Sequence, residues 1–144
     1  MGKKEIDDRF KKFGTVSFTS MSKVNDFIDY LEQGRVMATR CSHCGQSFFP
    51  PRADCCGCLS SDMQWFEVSG PGKLMTHSLM KFGPVGFEDD LPYSIAVVDF
   101  GEFKVFGRLS PDLSEEEVQV GMDMEVKANQ LPNGQLNYVF VKKD

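Results

Sequence analysis

Two Cys-x-x-Cys pairs, Cys41-Ser-His-Cys44 and Cys55-Cys-Gly-Cys58, stand ten residues apart in a chain of 144. Each pair lets two thiolates approach one ion from a tight turn, and two such turns complete a tetrahedron with metal–sulfur bonds near ~2.3 Å. Gly45 follows the first pair and Gly57 lies within the second, where a permissive backbone helps the turn. Between the pairs, Phe48-Phe49-Pro50-Pro51-Arg52 supplies apolar cover for sulfur and a stiff extended segment. The spacing predicts one structural zinc ion on Cys41, Cys44, Cys55 and Cys58, with iron in a rubredoxin-like site as the competing metal. Four protein ligands leave no position for water, so the metal is expected to organise the chain rather than react.

The fifth cysteine, Cys56, is either a nucleophile or a passive knuckle residue. Adjacent bound thiolates oppose its activation, which favours the passive reading. His43 is expected to point outward from its knuckle, and His77 to be a satisfied structural histidine on a strand. No Gly-x-Ser-x-Gly, Walker loop or dinucleotide fingerprint occurs in the sequence. Catalytic residues of the chain's own are therefore not expected.

Hydrophobic residues make up 41% of the chain and charged ones 26%, the balance of a soluble globular protein. The longest apolar runs, 95–98 and 138–141, are strand-sized, well short of the roughly 20 residues of a membrane span. The N-terminus alternates charge with single apolar residues and lacks the apolar core of a secretory signal, so a cytoplasmic location is expected. The net charge of −5 falls to about −7 once four thiolates hold a dication. Nucleic acid and membrane surfaces are therefore not expected partners.

Within 1–20, Ile6, Phe10, Phe13, Val16 and Phe18 interrupt a charged stretch, which suggests an arm that docks on a partner or on the chain's own barrel. Val24, Phe27, Ile28 and Leu31 follow helical spacing, with Ser20 or Ser22 as cap and Gly34 as the left-handed stop. Beyond the cysteines the period becomes two. One long bent strand is expected over 64–82, interrupted by Ser69-Gly70-Pro71-Gly72, with Leu74, Thr76, Ser78, Met80 and Phe82 on one face. A loop over 83–92 precedes a hairpin of strands 93–100 and 103–109 around Gly101-Glu102. Ser114 and Glu117 have the form of a capping box for a short helix within 110–120, and two strands follow, turning at Pro132-Asn133-Gly134. Three strands, a helix and two strands is the order of an OB barrel. The expected chain is mainly β: an arm over 1–20, an N-terminal helix and zinc ribbon over 21–62, and a five-stranded OB-fold barrel over 63–144.

These features resemble the zinc-ribbon and OB-fold family known as domain of unknown function 35. The residues that carry the resemblance are Cys41-x2-Cys44-Gly45, Phe49-Pro50-Pro51-Arg52, Cys55-x2-Cys58, Trp65, Val68-Ser69-Gly70-x-Gly72, Pro92-Tyr93, Val97-Val98 and the segment 120–126. Cys56 stands where the family usually carries proline, and Pro71 where a basic residue is common. The resemblance implies a non-catalytic accessory subunit in a hetero-oligomer. A thiolase-like partner would supply the catalytic residues, and this chain would support assembly and shape the entry of acyl-CoA. A coenzyme A contact would need cations for phosphate and flat apolar groups for adenine. Arg52, Lys73, Lys81, Lys104 and Arg108 are the candidate cations, and Phe82, Phe87 and Tyr93 the candidate stacking groups, of which Arg52, Lys73, Lys81, Phe82, Tyr93 and Arg108 are the expected contacts. A nucleic-acid-binding ribbon and barrel, and an iron-containing electron carrier, are the alternative readings.

Overall fold

The computed structural model describes residues 6–16 and 22–144; Phe18 and the cap candidate Ser20 lie outside the described residues. A three-stranded antiparallel sheet comes first in space. Its central strand β1 (Met37–Cys41) pairs with β2 (Ser47–Phe48) and with β3 (Met63–Glu67). The register with β3 runs from Met37 opposite Glu67 to Cys41 opposite Met63, so the strand that leaves the second cysteine pair returns along the strand that enters the first. Five further strands, β4 (Gly72–Met80), β5 (Tyr93–Asp99), β6 (Lys104–Leu109), β7 (Asp123–Gln130) and β8 (Leu136–Lys142), close into a barrel in the order β4-β5-β6-β8-β7. Strands β6 and β8 run parallel and every other barrel pairing is antiparallel, as the OB order requires.

The stretch 64–82 is not one strand. It divides at Ser69-Gly70-Pro71, and its halves belong to different sheets. Gly70 takes a left-handed φ of 77° and Pro71 has no amide to give to a ladder. Gly72 then enters the barrel so close to β5 that a Cβ would lie 2.5 Å from Val98 Cγ1. The expected single face from Leu74 to Phe82 is also corrected. Leu74 pairs with Val98 but Thr76 pairs with Val97, so Met75 is a bulge residue the ladder skips. Beyond it the parity of the strand flips: Thr76 and Ser78 are exposed away from the cavity, while Leu79, half-buried, and His77, exposed at the rim, line the cavity at the barrel end.

The helix expected within 110–120 is only a 3-10 turn over Glu115–Glu117. Its capping box forms, with the Ser114 amide donating to Glu117 Oε2 at 3.0 Å. Leu113 and Val118 both pack on the barrel core, and a five-residue separation does not share one helical face. Seven buried side chains fill that core: Leu74, Ala96, Val98, Val105, Leu109, Met124 and Phe140.

A second core joins helix α1 (Asp26–Glu32) to both sheets. Phe27, Ile28 and Leu31 bury the expected stripe against Val36, Ala38 and Val68, while Val24 is half-buried. Asn25 occupies the N-cap, and Ser22 Oγ accepts from the Val24 amide at 3.2 Å. Gly34, with φ of 80°, ends the helix as expected. Around this core lie Phe10, Phe13, Phe49, Trp65, Phe66, Phe100, Phe103 and Tyr138. Phe10 and Phe13 come from the arm, so residues 9–14 dock on the chain's own barrel. The Gly14 amide donates to Leu136 O at 2.8 Å, and Arg9 pairs with Asp26 and Asp29 of α1 at 2.8 and 2.6 Å. At the β5–β6 hairpin tip, Glu102 accepts from Arg40 of β1 at 2.6 Å and Ser47 of β2 at 3.0 Å, clasping ribbon to barrel. Among the described residues, no helix is long and apolar enough to cross a membrane.

Candidate metal centre and barrel mouth

The four cysteines of the two pairs offer sulfurs that all lie within 4.8 Å of one another. Cys41 Sγ is 3.5 Å from Cys58 Sγ, and Cys44 Sγ is 3.5 Å from Cys55 Sγ. Sulfurs on a tetrahedron of zinc–thiolate bonds stand about 3.8 Å apart, so the set fits one ion. The two knuckles repeat one geometry. The Gly45 amide donates to Cys41 O at 2.9 Å and the Leu59 amide to Cys55 O at 3.0 Å, with φ of 80° and 63°. The left-handed residue of the second knuckle is thus Leu59, not the glycine within it. Gly57 lies against the metal site: its amide donates to Cys55 Sγ at 3.3 Å, and a Cβ there would lie 2.6 Å from Gln46 Oε1, the tip of an exposed side chain that would have to turn aside.

Amides aimed at sulfur favour the thiolate. The Cys44 amide, 3.4 Å from Cys41 Sγ, holds that thiol down to about 6 against the opposing effect of burial. Cys41 and Cys55 are buried, Cys44 is exposed and Cys58 lies between. His43 and Cys56 are exposed, as expected of outward knuckle residues. His77 is not a satisfied core histidine; it is exposed at the rim of a cavity. The His43 backbone, like that of Cys44, is bonded to the Cys41 sulfur.

That cavity, of about 470 Å³, opens at the end of the barrel where β6 and β8 meet. The segment 110–118 spans this end with only the 3-10 turn, so the mouth is not plugged by a helix. Leu79, Leu109, Leu113, Val118, Leu131 and Val139 form apolar walls. On one side Arg108 is locked in place. Its Nη1 pairs with Asp90 at 2.8 Å, its Nη2 donates to Thr15 Oγ1 at 3.0 Å, and its guanidinium lies 4.0 Å from the centre of the Tyr93 ring. Thr15 also donates to Asp90. The side chains of Arg108 and Asp90 are 18% and 11% exposed. Burial alone would raise the Asp90 carboxyl, but the Thr15 and Arg108 bonds outweigh it and hold it below the usual range. Opposite, Asn129 Nδ2 donates to Asn137 Oδ1 at 2.8 Å.

The candidate coenzyme A residues are dispersed. Tyr93 and Arg108 meet at the mouth, and Lys81 and Phe82 follow the end of β4 nearby, with Phe82 85% exposed. Lys73 lies at the far end of β4, paired with Asp123 at 2.5 Å. Arg52 belongs to the ribbon, its guanidinium 5.4 Å from the Phe48 ring centre. Asp90, in the loop expected over 83–92, and Thr15, in the arm, were not among the candidate residues. Nothing in their spacing points to Arg108; the contact exists only in three dimensions.

Comparison with known proteins agrees with this architecture. The description "ChsH2, rubredoxin-like zinc ribbon domain" matches residues 29–64, and "ChsH2, C-terminal OB-fold domain" matches residues 65–129. The zinc-ribbon match and the clustered cysteines together identify the ion as a structural zinc. A "DUF35 domain-containing scaffold protein" of Pyrococcus furiosus is 33% identical over 97 residues, covering 67% of this chain and 71% of that protein. A protein of the same description from Methanocaldococcus jannaschii is 33% identical over 92 residues, 62% of this chain. The chain spans 64% of that relative's length. Among solved structures, one described as "Ltp2-ChsH2(DUF35) aldolase" superposes with a TM-score of 0.65 at 22% identity, over 79% of this chain and 89% of that one. A Sulfolobus solfataricus protein of unknown function from the DUF35 family gives 0.53 at 19% identity, over 82% and 81%. Both show the shared fold.

Proposed function

Because this chain belongs to the DUF35 family of rubredoxin-like zinc-ribbon and OB-fold proteins, we propose that it is a non-catalytic accessory subunit of a thiolase-type acyl-CoA enzyme. It supports assembly of the complex and contributes to the site where the coenzyme A thioester is held. The observation that carries this reading is an exposed apolar ledge beside the mouth. Phe82 and Val85 are 85% and 91% exposed at the start of the 83–92 loop, and Val16 of the arm lies against Gly86 of the same loop. Large apolar side chains grouped in this way mark an interaction surface. Relatives described as scaffold proteins, and a fold neighbour described in complex with Ltp2 as an aldolase, support the same division of labour. So does the chemistry of the metal site: four cysteines around one ion leave no open position for a reacting water.

In this reading the partner supplies the reacting groups, while Lys81 and Phe82, exposed at the ledge, offer a cation and a ring to coenzyme A. Affinity capture of the full chain from its native cell, followed by mass spectrometry, is expected to recover a thiolase-like protein. The double variant Phe82→Ser, Val85→Ser is expected to lose it while keeping zinc and fold. Capture that recovers no such protein, or is unchanged in the variant, refutes the proposal. Lys81→Glu is expected to weaken coenzyme A binding by the assembled complex.

A further inference from the structure

We infer that the barrel-mouth cavity is a binding site for an uncharged, mainly apolar ligand the size of a short acyl chain. Its volume of about 470 Å³ falls within the range of small-molecule sites, roughly 300–1,000 Å³. Its walls are apolar, and its neutral hydrogen-bonding groups, among them Asn129, Asn137 and Ser94, stand ready for a hydroxyl or carbonyl. Charge decides the ligand class. Among the described residues that line the cavity, Arg108 is the sole lysine or arginine, and Asp90, Thr15 and Tyr93 already satisfy it. The remaining charged groups of the lining, Asp89 and Glu115, are acidic and exposed at the rim. A phosphate or carboxylate entering would meet negative charge first. To reach Arg108 it would have to leave the buried Asp90 carboxylate unpaired. The mouth therefore excludes the phosphate end of a coenzyme A thioester and accepts its other end. Only the acyl origin of the ligand rests on the function proposed above.

Two fluorescent probes that share one aromatic body separate the possibilities: uncharged N-phenyl-1-naphthylamine and its anionic relative 1-anilinonaphthalene-8-sulfonate. With the full zinc-loaded chain, the uncharged probe is expected to bind saturably and the sulfonate at least tenfold more weakly. His77→Trp, at an exposed rim position, and Leu79→Trp fill the cavity and are expected to weaken the uncharged probe at least tenfold with unchanged circular dichroism. Asp90→Asn releases Arg108 and is expected to strengthen sulfonate binding severalfold. Equal or tighter sulfonate binding by the unaltered chain overturns the proposal, as does uncharged-probe binding that survives in both filled variants. No partner is present in these measurements, so their outcome is independent of whether a thiolase-like protein is recovered by capture.

Discussion

In the ribbon, strands of five, two and five residues enclose a core of three buried side chains, Cys41, Phe48 and Cys55, two of which are metal ligands. In the barrel, five strands close on seven buried side chains, none of which binds metal. The barrel gains its stability from area removed from water, at about 25 cal/mol per Å². The ribbon has too little apolar area for that and depends on coordination, which is worth roughly 10–16 kcal/mol in small zinc modules. Two neighbouring units of one chain thus respond to different agents. Between them lies a seam of rings, with Phe103 packed among Phe49, Phe66 and Phe100 at centroid distances of 5.8–6.5 Å.

Zinc removal should break the symmetry of the two units most strongly. A chelator is expected to abolish amide protection over 41–62 while the barrel ladders persist, as read by hydrogen exchange; equal loss in both would show that the barrel cannot stand alone. Phe140→Ala, at a fully buried barrel position, is expected to cost about 3–5 kcal/mol in denaturant unfolding and to leave zinc affinity unchanged. Phe103→Ala should cost less, roughly 2 kcal/mol, but split one unfolding transition into two by uncoupling the units. Leu59→Gly is expected to stabilise the ribbon by about 1 kcal/mol, because a left-handed φ strains any side chain and Leu59 is 84% exposed with little packing to lose. The smallest effect concerns pH. The Arg40 and Ser47 bonds hold the Glu102 carboxyl below its usual range. The clasp therefore contributes fully above the ordinary glutamate range and is lost as pH falls through the lowered value. Glu102→Gln should flatten that part of the acid unfolding profile.

The parts legible in the sequence were those written in local spacing. Cysteine pairs announce their geometry within four residues, and the helical stripe ending in Gly34 announces α1 within eleven. The capping box at Ser114 and Glu117 likewise forms as its spacing implies. What stayed hidden depends on partners distant along the chain. Alternation over 64–82 is the same whether the strand serves one sheet or two, because sheet membership is decided by β1 and β5. Parity beyond Leu74 could not be read because the bulge is visible only against Val97 and Val98. The left-handed backbone at Leu59 was not legible because leucine carries no mark of it. Arg108 looked like a free cation because Asp90 lies 18 residues away and Thr15 lies 93 away.

The barrel is closed by two short stitches. Strands β4 and β7 share only the pairs Gly72–Met124 and Lys73–Asp123, and β6 and β8 only Arg108–Val139 and Leu109–Phe140. Mechanically the barrel is two leaves, a three-strand meander and a hairpin, fastened at opposite ends of the meander. The stitch between β6 and β8 is also the lip of the cavity, so prying the leaves apart there would widen the entrance while the far fastening acts as a hinge.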